Sequence, residues 1–300
     1  IFVTNTPDVL SAETADTGMA LLLASSKRLA EGDLFVRIGK WHNGQMPLGV
    51  TLTGKTIGIV GYGNIGRRLA GLCAQLGLVC RVFDPLILRR PDAAVDRFEL
   101  MLDCDILTFH VPLSIGGRYS TYHQLDGEGL ARLRHDCIVI NSSRGAAIDN
   151  VALAEHLKRS PRCRVALDVW ENEPAIAPAL LRQAAIATPH IAGYSRAGKL
   201  RGSVQVLSAV ARFFGESAPG DLGLQQWVVS PCFPQKQHAR LAYYRQLLKD
   251  TYCAFADSQR FASACTRDLS VAALFDQQRR DYPHRPEIVY RDIDEERTSP

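Results

Sequence analysis

Three glycines in GYGNIG (residues 61–66) and a scatter of ionisable residues downstream are the side chains here whose types and spacing could do chemistry. Gly61, Gly63 and Gly66 follow an apolar run, TIGIV (56–60), and open a stretch of helical character. In that setting the first glycine permits a tight turn and the second lets the backbone approach a pyrophosphate. The third lets helix and strand pack closely. The helix amino end adds unpaired N–H groups and the positive end of a dipole. Asp84 closes the next apolar run and can accept hydrogen bonds from adenosine ribose hydroxyls. A 2′-phosphate would meet a like charge there, so the pattern favours NAD. Arg89 and Arg90, a few residues on, keep NADP as the alternative.

Those groups need elements to position them, and residues 56–190 supply the expected kind. Short β-rich runs at 56–60, 79–83, 106–109, 137–141, 164–168 and 186–188 alternate with helical stretches at 64–76, 97–102, 126–133, 150–158 and 177–184. This is the pattern of a doubly wound α/β fold with a parallel sheet. Several runs lack polar alternation, as strands covered on both faces do. Ser11 to about Glu31 reads as one long helix with Gly32 as its stop, and 196–214 as another ending at Gly215. A Pro/Gly/Ser-bearing stretch at 215–223 marks a boundary. Helices at 237–257 and 269–280 and a strand at 287–290 follow, and the charged last ten residues read as a frayed tail.

Ligands of an open parallel sheet bind beyond the carboxyl ends of its strands. There the sequence delivers Ser142, Ser143 and Arg144 after one strand, Asp168, Glu171 and Glu173 after the next, and His190 after the last. An arginine, an acid and a histidine on one edge with a dinucleotide loop suit hydride transfer. Arg144 could hold a carboxylate by two parallel hydrogen bonds. A histidine could exchange the proton of a hydroxyl, and a glutamate could orient its ring. Asp168 could fix a nicotinamide amide. Taken singly each has a plainer role, as a loop or surface residue. Glu171 competes with Glu173, and His110 with His190; position in the sequence leaves both contests open.

Composition narrows the classes. The chain has 300 residues, 46% hydrophobic and 22% charged, with a formal charge of +4. That excludes a mostly disordered chain and is too weakly basic to argue for nucleic acid. No apolar run approaches the ~20 residues of a membrane span, and no signal sequence opens the chain. The eight cysteines show no CxxC pair or zinc spacing, so no metal is expected, and buried reduced thiols in a cytoplasmic protein are the simplest reading.

GYGNIG, HVPL (110–113), INSSRGAAIDN (140–150), ALDVWENEP (166–174) and TPHIAGY (188–194) together resemble the D-2-hydroxyacid dehydrogenase family of NAD-dependent oxidoreductases. The resemblance implies a Rossmann cofactor domain and a catalytic set of Arg144, Glu173 and His190, which decides both contests. It implies cofactor contacts from Gly61, Gly63, Asn64, Ile65, Gly66, Asp84, Val111, Pro112, Ser142, Ser143, Asp168 and Gly193, and substrate contacts from Arg144 and Tyr194. Residues from about 104 onward are most similar to the branch that oxidises a phosphorylated four-carbon 2-hydroxy acid in vitamin B6 synthesis. Residues 5–41 look more like the glyoxylate/hydroxypyruvate reductase branch. A cofactor-sensing, corepressor-like binding protein or an inactive fragment is the alternative of another class. On this likeness residues 1–10 are a remnant of a truncated substrate domain and 11–193 the NAD-binding domain. Residues 194–215 are a return helix, 216–290 a small α+β module that makes a homodimer, and 291–300 a disordered tail.

Overall fold

In the computed structural model the described residues are 3–6, 8–41, 46–87 and 89–216, with the backbone of two short strands at 228–229 and 287–288. Residues 14–192 belong to one compact unit, and residues 3–13 and 193–216 to a second. The dimerisation module expected at 216–290, its two helices and the tail at 291–300 lie outside the described residues. The exception is a two-residue pairing of β7 (Val228–Val229) with β8 (Glu287–Ile288).

The first unit is built on six strands: β1 (Thr56–Val60), β2 (Val79–Phe83), β3 (Ile106–Phe109), β4 (Ile138–Asn141), β5 (Arg164–Leu167) and β6 (Ile186–Ala187). All pair in parallel in the order β2-β1-β3-β4-β5-β6, so the chain reverses direction across the sheet between β1 and β3. Alternation along each strand sorts its side chains into two cores. Ile57, Ile59, Ile106, Ile138, Ile140 and Ala166 join Leu21 and Leu22 of α1 (Ser11–Ser26) and Leu69 and Cys73 of α3 (Asn64–Gln75). Val60, Leu107, Phe109, Val139, Val165 and Leu167 pack on the other face. Their partners are Leu130 of α4 (Gly127–Arg132), Leu153 and Leu157 of α5 (Asn150–Arg159) and Leu180 of α6 (Pro178–Gln183). Both faces are therefore dry, which is why the strands read as unbroken apolar runs.

Two expectations are corrected. The long helix from Ser11 to Glu31 is broken: α1 stops at Ser26, and α2 (Leu29–Arg37) runs through Gly32. Arg28 turns the chain in the left-handed region, φ 52°. Ion pairing across the fold holds the break. Buried Arg164 grips both carboxylate oxygens of Glu31 and donates to the Ser25 carbonyl, while Arg28 bonds Glu31 from its own turn. The helix expected at 97–102 is a single 3₁₀ turn, Phe98–Met101.

The described cysteines 73, 80, 104, 137 and 163 are all free thiols. Burial pushes Cys73 up to about 12 and Cys104 and Cys163 to about 11, which leaves them inert as nucleophiles. Among the described residues no helix is long and apolar enough to cross a membrane.

In the second unit, α7 (Arg196–Phe214) is capped by Ser195, whose hydroxyl accepts the Gly198 N–H, and ends on Gly215 at φ 73°. Arg201 of α7 pairs with Glu13 and reaches the Val9 carbonyl. The Lys199 ammonium lies 3.5 Å above the Tyr194 ring.

Candidate active site

The glycine loop sits where the sheet order reverses, between the ends of β1 and β3. Gly61 has φ 91°, and a methyl group on it would strike the His110 carbonyl. A methyl group on Gly66 would strike the Gly61 carbonyl, so only hydrogen allows α3 so close to the strand. Gly63 differs: nothing lies within 4 Å of where its methyl would be. It caps the amino end of α3 and leaves an open cradle beside the first N–H groups of that helix. Asn64 and Ile65 form the first turn, Asn64 taking a hydrogen bond from Arg67 at 2.6 Å. Asp84, at the end of β2, accepts the Tyr62 N–H at 2.8 Å and the Leu86 N–H at 3.0 Å. The acid thus shapes the loop and keeps lone pairs for a ribose. Arg90 is turned onto Asp96 and the Val95 carbonyl. These residues fit a dinucleotide.

At the end of β3, Val111 packs against Gly61, and the Pro112 carbonyl accepts the Thr121 hydroxyl at 2.6 Å. Beyond β4, Asn141 ties the next turn together: its Oδ1 accepts the N–H and hydroxyl of Ser143, and its Nδ2 donates to the Arg144 carbonyl. Ser142 is buried, and its hydroxyl has no partner among the described residues. Arg144 is exposed, with one guanidinium nitrogen on the Ser143 carbonyl at 2.7 Å. Gly145 then passes so near Trp170 that a methyl group would overlap the Trp170 carbonyl. The turn carrying Arg144 and the loop after β5 are therefore in backbone contact.

That loop begins at Asp168, which is fully buried. One carboxylate oxygen accepts the Thr188 hydroxyl at 2.6 Å and the Ile191 N–H at 2.8 Å; the other accepts the Ala192 N–H at 2.8 Å. Its carbonyl accepts the His190 N–H at 2.7 Å. Burial pushes the Asp168 carboxyl up, against the pull of these hydrogen bonds. Asp168 thus moulds the segment carrying His190, a task that its position in the sequence did not reveal.

Glu173 accepts the Trp170 N–H with one oxygen and meets His190 Nδ1 with the other, both at 2.7 Å. An Nδ1–H donated to the carboxylate leaves Nε2 with its lone pair, the form a general base needs. His190 has φ 56° and Asn172 φ 58°. Non-glycine residues held in the left-handed region cost about 1–3 kcal/mol and cluster at functional sites.

Geometry also separates the competitors. Glu171 faces away from His190, holding His123 Nε2 at 2.7 Å and the Asn150 N–H at 2.8 Å. His110 is buried, with Nε2 2.9 Å from the Thr108 hydroxyl, and burial pushes it down to about 4. It is neutral in the fold, whereas the unfolded ring titrates near 6.5. The unfolded chain binds more protons between those values, so the stability His110 contributes is whole above 6.5 and is lost as pH falls toward 4. Lowering the pH from 7 to 5 should cost the wild type about 2 kcal/mol more than His110→Gln, as urea unfolding at the two pH values will show.

His123, Asp149 and Glu171 bring ligand-type atoms within 4.8 Å of one another. Both Glu171 oxygens already take hydrogen bonds there, and Asp149 caps α5 by accepting the Ala152 N–H. Gly193 and Tyr194 belong to the second unit.

Residues 19–192 match the model of the D-isomer specific 2-hydroxyacid dehydrogenase NAD binding domain. The chain belongs to this family. The erythronate-4-phosphate dehydrogenase of Proteus mirabilis is 39% identical over 245 residues, covering 80% of this chain and 64% of that protein. The chain therefore spans a little under two thirds of that relative's length. Among solved structures, the TT0316 protein of Thermus thermophilus matches with a TM-score of 0.64 and 32% identity, over 72% of this chain and 70% of its own. An NADPH-dependent glyoxylate/hydroxypyruvate reductase of Sinorhizobium meliloti matches with a TM-score of 0.64 and 29% identity, over 75% and 72%. The family match makes the glycine loop and its sheet an NAD-binding domain, in keeping with the open cradle at Gly63.

Proposed function

We propose that this protein oxidises 4-phospho-D-erythronate at its C2 hydroxyl to 2-oxo-3-hydroxy-4-phosphobutanoate with NAD, the step named for its erythronate-4-phosphate dehydrogenase relatives and a part of pyridoxal phosphate synthesis. The observation that carries the reaction class is the 2.7 Å contact between Glu173 and His190 Nδ1, on the sheet edge shared with Arg144 and the glycine loop. The choice of acid follows from relatives 36–41% identical to the chain.

Arg144 holds the substrate carboxylate through paired N–H donors. His190 Nε2 takes the C2 hydroxyl proton, and Glu173 steadies the imidazolium that results. Bound NAD supplies the acceptor for the C2 hydride. Asp168 keeps His190 on its loop, and Asp84 holds the adenosine ribose. Within the second unit, the Lys199 charge beside Tyr194 suits an anionic ligand.

A homodimer and a cytoplasmic setting belong to this reading. The apolar side chains of Leu34, Val36, Ile38 and Trp41, exposed on and after α2, support an assembly face. The free thiols among the described residues, all buried but Cys80, support a reducing compartment.

Reduction of glyoxylate or hydroxypyruvate is the second reading, favoured by the likeness to the Sinorhizobium meliloti reductase. The full-length product of the gene should form NADH from 4-phospho-D-erythronate much faster than it consumes NADH with hydroxypyruvate. The reverse preference would replace the proposal with the second reading. Arg144→Ala should raise KM for the preferred acid by about 10- to 150-fold, the loss of a charge-assisted hydrogen bond worth about 1.5–3 kcal/mol. Steady-state kinetics at saturating NAD will show it.

A further inference from the structure

Glu171 has no part in the proton transfer, yet it is half of a reciprocal bond with Asn150. The Asn150 N–H donates to Glu171 Oε2 at 2.8 Å, and the Glu171 N–H donates to Asn150 Oδ1 at 3.1 Å. Asn150 Nδ2 reaches back to the carbonyls of Gly145 and Ile148 at 3.3 and 2.8 Å. The other Glu171 oxygen meets His123 Nε2 at 2.7 Å, and the His123 N–H donates to the Ala146 carbonyl at 2.8 Å. Asn150 is 5% exposed and the Glu171 side chain 16%. A carboxylate so little hydrated is tolerable only because both its oxygens receive donors.

These bonds join two segments that face different parts of one small substrate. Asn150 and His123 grip residues 145–148, the turn that presents Arg144. Glu171 adjoins Trp170, whose N–H holds Glu173 and, through it, His190. We propose that Glu171, Asn150 and His123 form a positioning clamp that fixes the carboxylate-binding arginine relative to the Glu173–His190 pair. The clamp touches neither substrate nor cofactor. It acts by keeping two contact points in register, where a displacement of about 1 Å can cost 10²-fold in rate. The inference rests on the proposed roles of Arg144, Glu173 and His190.

Its test has one measurement that needs no turnover and one that does. Amide hydrogen exchange in Glu171→Ala should be at least tenfold faster at Trp170, with Ile57 in β1 unchanged. Glu171→Gln keeps an oxygen for the Asn150 N–H and should restore the wild-type Trp170 rate. Unchanged Trp170 exchange in Glu171→Ala would overturn the clamp, whatever the enzyme does to any acid. Faster exchange at both amides would mark general loosening and equally overturn it. The second measurement is the rate with 2-deuterated substrate. Glu171→Ala and Asn150→Ala should lower kcat at least tenfold and enlarge the isotope effect, with KM for NAD unchanged. A fall in kcat with the wild-type isotope effect would mean fewer folded molecules and would sink the proposal. A wild type that turns over neither acid refutes the proposed function alone, since the exchange arm still judges the clamp.

Discussion

His190→Ala loses turnover by about 10²- to 10⁴-fold, the usual worth of a positioned general base, while NAD affinity stays nearly as it was. The two effects separate because the ring lies in the loop after β6, paired to Glu173, whereas the cradle for the dinucleotide is at Gly63 beyond β1. Alanine is also a poor occupant of φ 56°, so His190→Asn is the useful companion. Asparagine tolerates the left-handed region and cannot act as a base. Equal losses in the two variants, with isothermal titration showing NAD still bound, would assign the loss to the missing imidazole. Loss of NAD binding in both, with no turnover to lose, would instead mark a cofactor-sensing protein.

Gly145→Ala should be the most damaging single methyl in this region. Its new carbon would fall on the Trp170 carbonyl, between two backbone segments with no flexible side chain to yield. Overpacking commonly costs about 1–3 kcal/mol, and a clash with backbone belongs at or above the top of that range. Whatever relaxes must part the Arg144 turn from the Glu173 loop, so kcat falls as well as stability. Gly63→Ala is the contrast: its methyl meets nothing in the protein, so stability should hold within about 0.5 kcal/mol. NAD binding should weaken sharply, because that space is where a pyrophosphate would lie against the backbone. Urea melts and NAD titrations on the pair will show whether each glycine serves the protein or its ligand.

The six strands of the first unit were legible to within one residue because burial on both faces writes unbroken apolar runs, and Gly61 and Gly66 because their places admit no side chain. The break at Arg28 was not, since the helical pattern runs on through residues 27–31 and the cause is Arg164, far away in the chain. Glu171 and Glu173 were indistinguishable by spacing: two residues apart, they face opposite ways, one toward Asn150 and the other toward His190. The place of Asp168 after a strand suits a ligand contact but does not show that its two oxygens also hold Thr188, Ile191 and Ala192. Burial and loop geometry set that role, and neither is visible in a list of residues after strands. Nothing in the sequence singles out Asn150: the Asp-Asn pair at 149–150 marks the start of α5 but gives no sign of Glu171 as a partner.

The left-handed backbone at His190 bears on how this protein could change. A glycine there would relieve the strain of φ 56°, of order 1 kcal/mol, and so yield a sturdier but silent protein. Thermal tolerance and chemistry are therefore opposed at one position. A library screened for heat resistance alone will drift toward losing this histidine, whereas one screened for turnover will keep it and seek its extra stability elsewhere.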